Sequence, residues 1–359
     1  MLGSGLIRQS VSRAPVFRRF LTTANNKNVA FAFDIDGVLI KGSKTIPQAQ
    51  EALQLLNNEK VPWVLVTNGG GKTERERVQD LSQRLGGIDI PEDQFMQSHT
   101  PFKRLVDLYK GKVLIVGGDG DDCRKVAKLY GFKNPVIGAD IIRKHPSIWP
   151  FHRYRREEIE QWADPSINVD DGEPFDAILV FNDPRDMGTE IQIILDLLLS
   201  ENGVLGTRRK THTSRPSIPI HFSNKDLLWS NDYPIARFGQ GAFKATIDTL
   251  YETTTEGYKL ESVVIGKPFK ETYDYAHNLL VKKFKENQNI SSISAKISAP
   301  TVYMVGDNPA SDILGANGYG WRSVLVRTGV YQDGADLQGA KPTVILDNVL
   351  DAVKYGLEN

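Results

Sequence analysis

Asp34 and Asp36 stand two residues apart, after the apolar run Val29 to Phe33 and just before Gly37. Paired carboxylates so placed are the raw material of a phosphate-handling site. The five apolar residues read as a short buried strand and Gly37 permits a sharp turn, so the acids sit where a strand stops. In open parallel α/β sheets, ligands bind in the crevice beyond the carboxyl ends of the strands. Taken alone, the segment reads equally well as a capped strand entering a turn. The other strand ends have to decide.

A second apolar strand, Val61 to Thr67, ends in Thr67-Asn68-Gly69-Gly70-Gly71-Lys72-Thr73 and leads to a charged helix over Glu74 to Leu85. A right-handed β-α-β unit would set Thr67 and Asn68 beside Asp34. Gly71-Lys72-Thr73 is no P-loop, because Val66 stands where that motif needs its first glycine. The glycine amides, with the Thr67 hydroxyl, could instead point at a phosphoryl oxygen; the plainer alternative is a loop with a helix cap. Later, Ser262 to Ile265 reads as a strand ending in Gly266-Lys267-Pro268. Pro268 stops that strand and would fix the turn that aims Lys267. Val302 to Gly306 is a fourth strand, ending in Asp307, and Asn308, Pro309, Ser311 and Asp312 open the helix after it.

The elements that must position these groups follow from periodicity. Helices are expected over Gln48 to Glu59, Ala242 to Glu252 and Thr272 to Glu286, and further strands over Ser323 to Val326 and Val344 to Leu346. Asn287 to Ala299 reads as a surface insertion. From about Pro91 to Phe238 the pattern changes, with strands at Val113 to Val116 and Ala177 to Phe181 and an apolar helix at Ile191 to Leu199. Gly117-Gly118-Asp119-Gly120 lacks the third glycine of a dinucleotide fingerprint, Cys123 standing there, which argues against a nicotinamide site. Two β-α-like units inserted between core elements describe a second domain laid over the first. Within it Asn224, Asp226 and Trp229, then Arg237 and Gly239-Gln240-Gly241, form the densest polar and aromatic cluster. It reads as a recognition loop for the organic part of a substrate or as an ordinary interdomain loop. The six histidines, among them His99, His145, His152 and His221, have no close zinc spacing and are expected at the surface or in packing.

With 359 residues, 40% hydrophobic and 25% charged, the chain is long enough for two domains. No window approaches the roughly 20 apolar residues of a membrane-spanning helix. The single cysteine, Cys123, excludes an intramolecular disulfide and a thiolate zinc site. Zero net charge hides an asymmetry: residues 1–28 hold Arg8, Arg13, Arg18, Arg19 and Lys27 and no acid, so without them the balance is 39 basic against 44 acidic residues. The mildly acidic body argues against a nucleic-acid surface. The leader has the composition of an organelle transit peptide, the alternative being a disordered tail.

Four strand ends thus carry an Asp-x-Asp pair, a Thr-Asn, a Lys, and an Asp with a second Asp five residues on. This order strongly resembles the haloacid dehalogenase superfamily, whose motifs are Asp-x-Asp-Gly, a Thr or Ser, a Lys, and Gly-Asp-x-x-x-Ser/Thr-Asp. The insert between the second and third motifs resembles the type IIA capped members. Val-Thr-Asn-Gly-Gly-Gly, Gly-Lys-Pro and Gly-Asp-Asn-Pro-x-Ser-Asp-Ile look most like the mitochondrial group related to the cat eye syndrome critical region 5 protein. The resemblance implies an α/β fold: a Rossmann-like parallel-sheet core with a large inserted α/β cap of the C2 type. The expected division is a mitochondrial presequence at 1–28, the core at 29–90 and 239–359, and the cap at 91–238.

What the resemblance implies for the site is specific. Asp34 matches the nucleophile that forms an aspartyl-phosphate, and Asp36 the acid and base, its pKa raised by crowding from Asp34 and Asp307. Asp34, the backbone carbonyl of Asp36 and Asp307 would hold Mg2+, while Asp312 supports the metal shell or orients Lys267. Thr67, Asn68 and Gly69 would bind the phosphoryl group, and Lys267 would neutralise charge. Asn224, Asp226 and Arg237 are the candidate substrate contacts in the cap. The expected activity is a Mg2+-dependent phosphatase of a small phosphorylated metabolite, since a closing cap excludes macromolecules. Alternatives are a catalytically idle binding or scaffold protein and a phosphotransferase or mutase using the same site. Some relatives of this group are joined to enzymes of glycerophospholipid synthesis, which points weakly to a glycerol-phosphate type of substrate. A mitochondrial matrix location and a homodimer complete the expectations the resemblance carries.

Overall fold

The computed structural model describes residues 28–287, 300–337 and 339–359. The expected presequence and the expected surface insertion fall outside these, apart from Asn28 and Asn287. The chain opens with β1 (Val29–Phe33), a hairpin of β2 (Ile40–Lys41) and β3 (Lys44–Thr45), α1 (Ala49–Asn58), β4 (Trp63–Val66), α2 (Glu74–Arg84) and β5 (Phe95–Met96). Next come β6 (Lys112–Gly118), α3 (Asp122–Tyr130), β7 (Asn134–Val136), α4 (Gly138–Lys144), α5 (Arg156–Trp162), β8 (Phe175–Pro184) and α6 (Met187–Leu198). Then follow β9 (Ile220–Phe222), the pair β10 (Leu228–Trp229) and β11 (Arg237–Phe238), α7 (Gln240–Thr254) and β12 (Val263–Val264). The remainder is α8 (Lys270–Asn287), β13 (Thr301–Gly306), α9 (Leu314–Tyr319), β14 (Arg322–Val326), β15 (Val344–Leu346) and α10 (Val349–Glu358).

Two parallel sheets result. The first runs β15-β14-β13-β1-β4-β5, with β1 between β13 and β4. Its strands are apolar on both faces because helices cover both. Phe31 and Phe33 point to the cluster containing Leu53 of α1 and Val353 of α10, while Ala30 and Ala32 point to Tyr273, Ala276 and Leu280 of α8. The second sheet runs β12-β9-β8-β6-β7. A buried ion pair between Arg124 and Asp140 fastens its helices, and Asp140 also accepts the N–H groups of Ile137 and Asp164.

The second sheet keeps the chain for longer than the expected boundary at residue 239. Phe243, Ile247 and Tyr251 of α7 are buried in one cluster with Ile193, Ile194 and Leu197 of α6, and β12 pairs with β9. At the other end β5 pairs with β4, so the first sheet holds the chain to Met96, beyond residue 90. A helix's apolar periodicity shows that it covers something; it does not say which of two sheets.

Cys123 is buried at the start of α3, and burial pushes its thiol well above the ordinary range. Since the thiolate is the reactive form, the native protein is expected not to react with a thiol reagent, and the denatured chain to titrate one thiol. Labelling at native rates would place Cys123 at an accessible surface.

Candidate active site

The carboxyl ends of both sheets converge on one region. Asp34 follows β1 and its N–H donates to Val305 O at 2.9 Å, extending the ladder by one residue. The chain then turns at Gly37, whose φ of +89° suits glycine, and Asp36 bridges to Ile40 at the root of the β2–β3 hairpin. Asp307 ends the next strand. Asp312 lies in a single π-helical turn, Pro309–Ile313, and its Oδ2 accepts the N–H groups of Asp307 (3.1 Å) and Asn308 (3.0 Å). Such turns recur at functional sites because they re-aim a side chain.

Lys267, three residues beyond β12, is fully buried. Its Nζ stands 2.7 Å from Asp34 Oδ1 and 2.8 Å from Asp312 Oδ1, at ion-pair distance but without hydrogen-bond alignment. Burial works to lower the lysine's pKa, and Asp312 and Asp34 outweigh it, so the ammonium is held charged. Asp34, Asp307 and Asp312 each bring an oxygen within 4.8 Å of the others. Three acids face one lysine. Burial pushes Asp34 up to about 8, with Lys267 opposing and Asp312 adding to the rise. Asp307 is raised by burial and then by Asp34.

The donors fit a hard divalent cation: all are oxygens, negative charge is in excess, and Asp307 is fixed in place. Its Oδ2 accepts the Val330 N–H at 2.6 Å, and a Cβ on Gly37 or Gly329 would overlap that oxygen. Asp36 is also raised, but burial is the cause, opposed by Arg77, Lys267 and Arg84. This corrects the expectation that crowding by Asp34 and Asp307 would do it.

The glycine loop after β4 differs from its expected role. Thr73 caps α2 through a reciprocal bond with Glu76. Gly69 N–H donates to Thr67 Oγ1 (2.9 Å) and Gly71 N–H to His99 Nε2 (3.1 Å), so these amides are engaged within the protein rather than offered to a phosphoryl oxygen. The Thr67 hydroxyl, accepting from Gly69, keeps its own proton to donate. Asn68 is likewise engaged: Oδ1 accepts Lys267 N–H (2.8 Å), and Nδ2 donates to Lys267 O (3.0 Å) and Asp226 Oδ2 (2.9 Å). Asn224 Nδ2 donates to Asn68 O at 2.9 Å, and Asn224 Oδ1 accepts from Asp226 N–H. These residues brace Lys267 across the two sheets. Burial pushes Asp226 up to about 6, against the bond from Asn68.

A cavity of about 560 Å³ is lined by Asp34, Asp36, Thr67, Asn68, Gly69, Asn224, Asp226 and Asp307. Lys267 and Asp312 are buried outside its lining. Arg237 is not part of the wall either: it is exposed and lies over the Tyr233 ring, 5.0 Å from the centroid. Arg77 and Arg84 of α2 and Arg185 after β8 supply positive charge instead. On sequence they belong to ordinary charged surface, and only the packing of α2 against the hairpin turns two of them inward.

His99, expected as surface or packing, is wholly buried behind the glycine loop. Because Nε2 accepts from Gly71, the ring proton is on Nδ1, 2.9 Å from Tyr130 Oη, which donates to Glu74 Oε1 at 2.7 Å. Burial lowers His99 from 6.5 to about 4. The unfolded chain therefore binds this proton first as pH falls. His99 should cost up to roughly 3 kcal/mol of stability progressively between about pH 6.5 and pH 4. Urea unfolding across that range should show a shallower acid slope for His99→Gln than for the parent; equal slopes would rule His99 out as the source.

Residues 31–133 match the family model described as haloacid dehalogenase-like hydrolase, and residues 264–352 a HAD-hydrolase-like model. A mitochondrial hydrolase of Saccharomyces cerevisiae is 46% identical over 355 residues, covering 95% of this chain and 98% of its own. A cardiolipin synthase (CMP-forming)/mitochondrial hydrolase fusion protein of Schizosaccharomyces pombe is 42% identical over 348 residues, covering 95% of this chain; the match spans 56% of the fusion. The ribonucleotide monophosphatase NagD of Escherichia coli is 34% identical over 111 residues, covering 30% of this chain and 42% of its own. Its solved structure superposes with a TM-score of 0.54 at 19% identity, covering 90% of this chain and 97% of NagD, which is a likeness of fold.

Proposed function

Because the chain belongs to the haloacid dehalogenase-like hydrolases, we propose that it is a Mg2+-dependent phosphatase of a small phosphorylated metabolite, working through a phosphoryl group carried on Asp34. The observation that carries this reading is Lys267 Nζ at 2.7 Å from Asp34 Oδ1 and 2.8 Å from Asp312 Oδ1, in an acid cluster at the floor of a cavity. An Asp34 oxygen forms the bond to phosphorus as the ester oxygen leaves, and Asp36 gives that oxygen its proton. Burial, which favours the protonated form of Asp36, suits it to this step. Water then attacks phosphorus, Asp36 takes the water's proton, and the bond to Asp34 breaks with release of inorganic phosphate.

Lys267 balances charge on Asp34 and on the phosphoryl oxygens. Thr67 donates its hydroxyl proton to them, while Asn68, Asn224 and Asp226 keep Lys267 in position. Asp34, Asp307 and the Asp36 carbonyl would hold Mg2+, with Asp312 fixing Asp307 on one side and Lys267 on the other. When bound, the ion supplies positive charge for the phosphoryl oxygens. The fusion of one relative to a cardiolipin synthase supports a substrate from glycerophospholipid synthesis. The acid-free leader and the mitochondrial names of two relatives support a mitochondrial, matrix location. A homodimer through the second domain belongs to the same reading.

Phosphate release from a panel of phosphomonoesters, in Mg2+ and in EDTA, tests it. Turnover of at least one ester, lost in EDTA, is expected. Turnover that persists in EDTA would remove the metal from the mechanism. Binding of a phosphate analogue with no ester hydrolysed favours an idle binding protein, and phosphate reappearing on a second metabolite favours a phosphotransferase.

A further inference from the structure

Arg77 and Arg84 lie seven residues apart on one face of α2, and both line the cavity that holds Asp34 and Asp36. Their side chains are only 23% and 22% exposed, whereas ion-paired arginines on an outer helix face, such as Arg156, reach 88%. They share one counter-ion: Asp80 sits 3.1 Å from Arg77 Nη1 and 3.6 Å from Arg84 Nη1. Two guanidiniums against one carboxylate leave a net positive charge. Arg84 is set in place by a 2.5 Å bond from Nη2 to Gly42 O, in the hairpin next to Asp36. Among the described residues Arg77's hydrogen bond uses Nη1 alone, so Nη2 and Nε remain for a ligand. Planar, bidentate recognition of a carboxylate or phosphate is what such a fork does best.

Position relative to the chemistry sets what the pair would bind. Arg84 reaches Gly42 O in the hairpin whose root Asp36 bridges, and both arginines share the cavity wall with Asp36. Asp36 faces the leaving oxygen in the reaction proposed above, so the arginines are on the leaving-group side. Arg185, also in the lining, is paired with Asp119 at 2.8 Å.

We infer that Arg77 and Arg84 form a second anion subsite, and that the substrate is a phosphomonoester whose leaving group carries its own carboxylate or phosphate near the ester oxygen. This rests on the phosphatase reading for the first anion, not for the second. A single acid between two arginines also suits the subsite, because Asp80 holds both side chains while cancelling only one of their two charges.

The test compares 2-phosphoglycolate, propane-1,3-diol bisphosphate and the neutral-tailed 2-hydroxyethyl phosphate. The parent protein is expected to favour one or both of the doubly anionic esters by at least tenfold in kcat/KM. Arg77→Gln should bring that ratio towards one, chiefly through KM, and Arg77→Lys should recover part of it. Whichever anionic ester leads tells carboxylate from phosphate. No preference in the parent, or an equal loss on all three esters in Arg77→Gln, would overturn the subsite and leave Arg77 as a structural partner of Asp80. Calorimetric binding of the same compounds to Asp34→Asn, with and without Arg77→Gln, separates the two readings. Tighter binding of an anionic-tailed ester that vanishes with Arg77 sustains the subsite even where no ester is hydrolysed, and indifferent binding rejects it.

Discussion

Asp34→Asn is expected to lower kcat for any phosphomonoester by at least about 10⁴-fold, the scale seen when a covalent nucleophile is removed, and to raise the melting temperature of the metal-free protein. Asparagine is nearly the same shape but cannot carry the phosphoryl group. The stability gain has a separate origin. Asp34 ionises near 8 in the folded chain against 3.8 in the reference state, mainly through burial. A carboxyl raised in this way contributes most stability below the unfolded value and loses it as pH rises towards the folded one. The advantage of asparagine should therefore grow from about pH 4 to pH 8. Saturating Mg2+ should reverse the order, because a cation that binds the native site stabilises the parent by mass action and finds one fewer charged ligand in the variant. Thermal melts across pH, with Mg2+ and with EDTA, make the check. Turnover within tenfold of the parent would dismiss Asp34 as nucleophile, and identical melts in all conditions would dismiss it as a metal ligand.

Lys267→Met is expected to fail in both respects. It removes the cation lying between Asp34 and Asp312, so buried acids face each other unpaired. Breaking a buried pair from one side costs about 3–5 kcal/mol, and losing a preorganised positive group costs about 10²–10³-fold in kcat. The double change Lys267→Met with Asp312→Asn should regain part of the stability, since the stranded charge is gone, without regaining activity. Urea unfolding and phosphate release on the three proteins separate the effects. Activity restored in the double variant would mean that Lys267 serves only to offset Asp312.

Much of the candidate site is legible because its residues sit next to strand ends. The apolar run before Asp34, the Val-Thr-Asn sequence and Gly306-Asp307 each announce themselves within a few residues, and their pairing follows from β-α-β handedness. What was not legible depends on partners distant in sequence. Asn68 is engaged by Lys267, 199 residues away, so no local pattern could tell a phosphate ligand from a brace. His99 looked like packing because the amide it accepts belongs to Gly71. Arg77 and Arg84 belong to a helix whose charges resemble a solvated face. Lys267 falls within the expected core at 239–359, yet its strand is an edge of the second sheet, since two apolar residues at Val263–Val264 carry no mark of which sheet they join.

The place of β1 in the first sheet also bears on how the protein is made. Val29 pairs with Thr301 on one side, while Phe31 pairs with Trp63 on the other. One edge of this strand can be satisfied early in synthesis; the other waits for about 270 more residues. At roughly 5–20 residues per second, that delay is about 14 to 54 s. Throughout it Val29–Phe33, uncharged and rich in aromatic residues, presents an open edge of the kind that recruits other chains. The second sheet lies wholly within the intervening stretch and can close in the meantime. The chain thus makes an uncharged, aromatic strand early and shields its second edge late, whether it folds during synthesis or after transfer into an organelle.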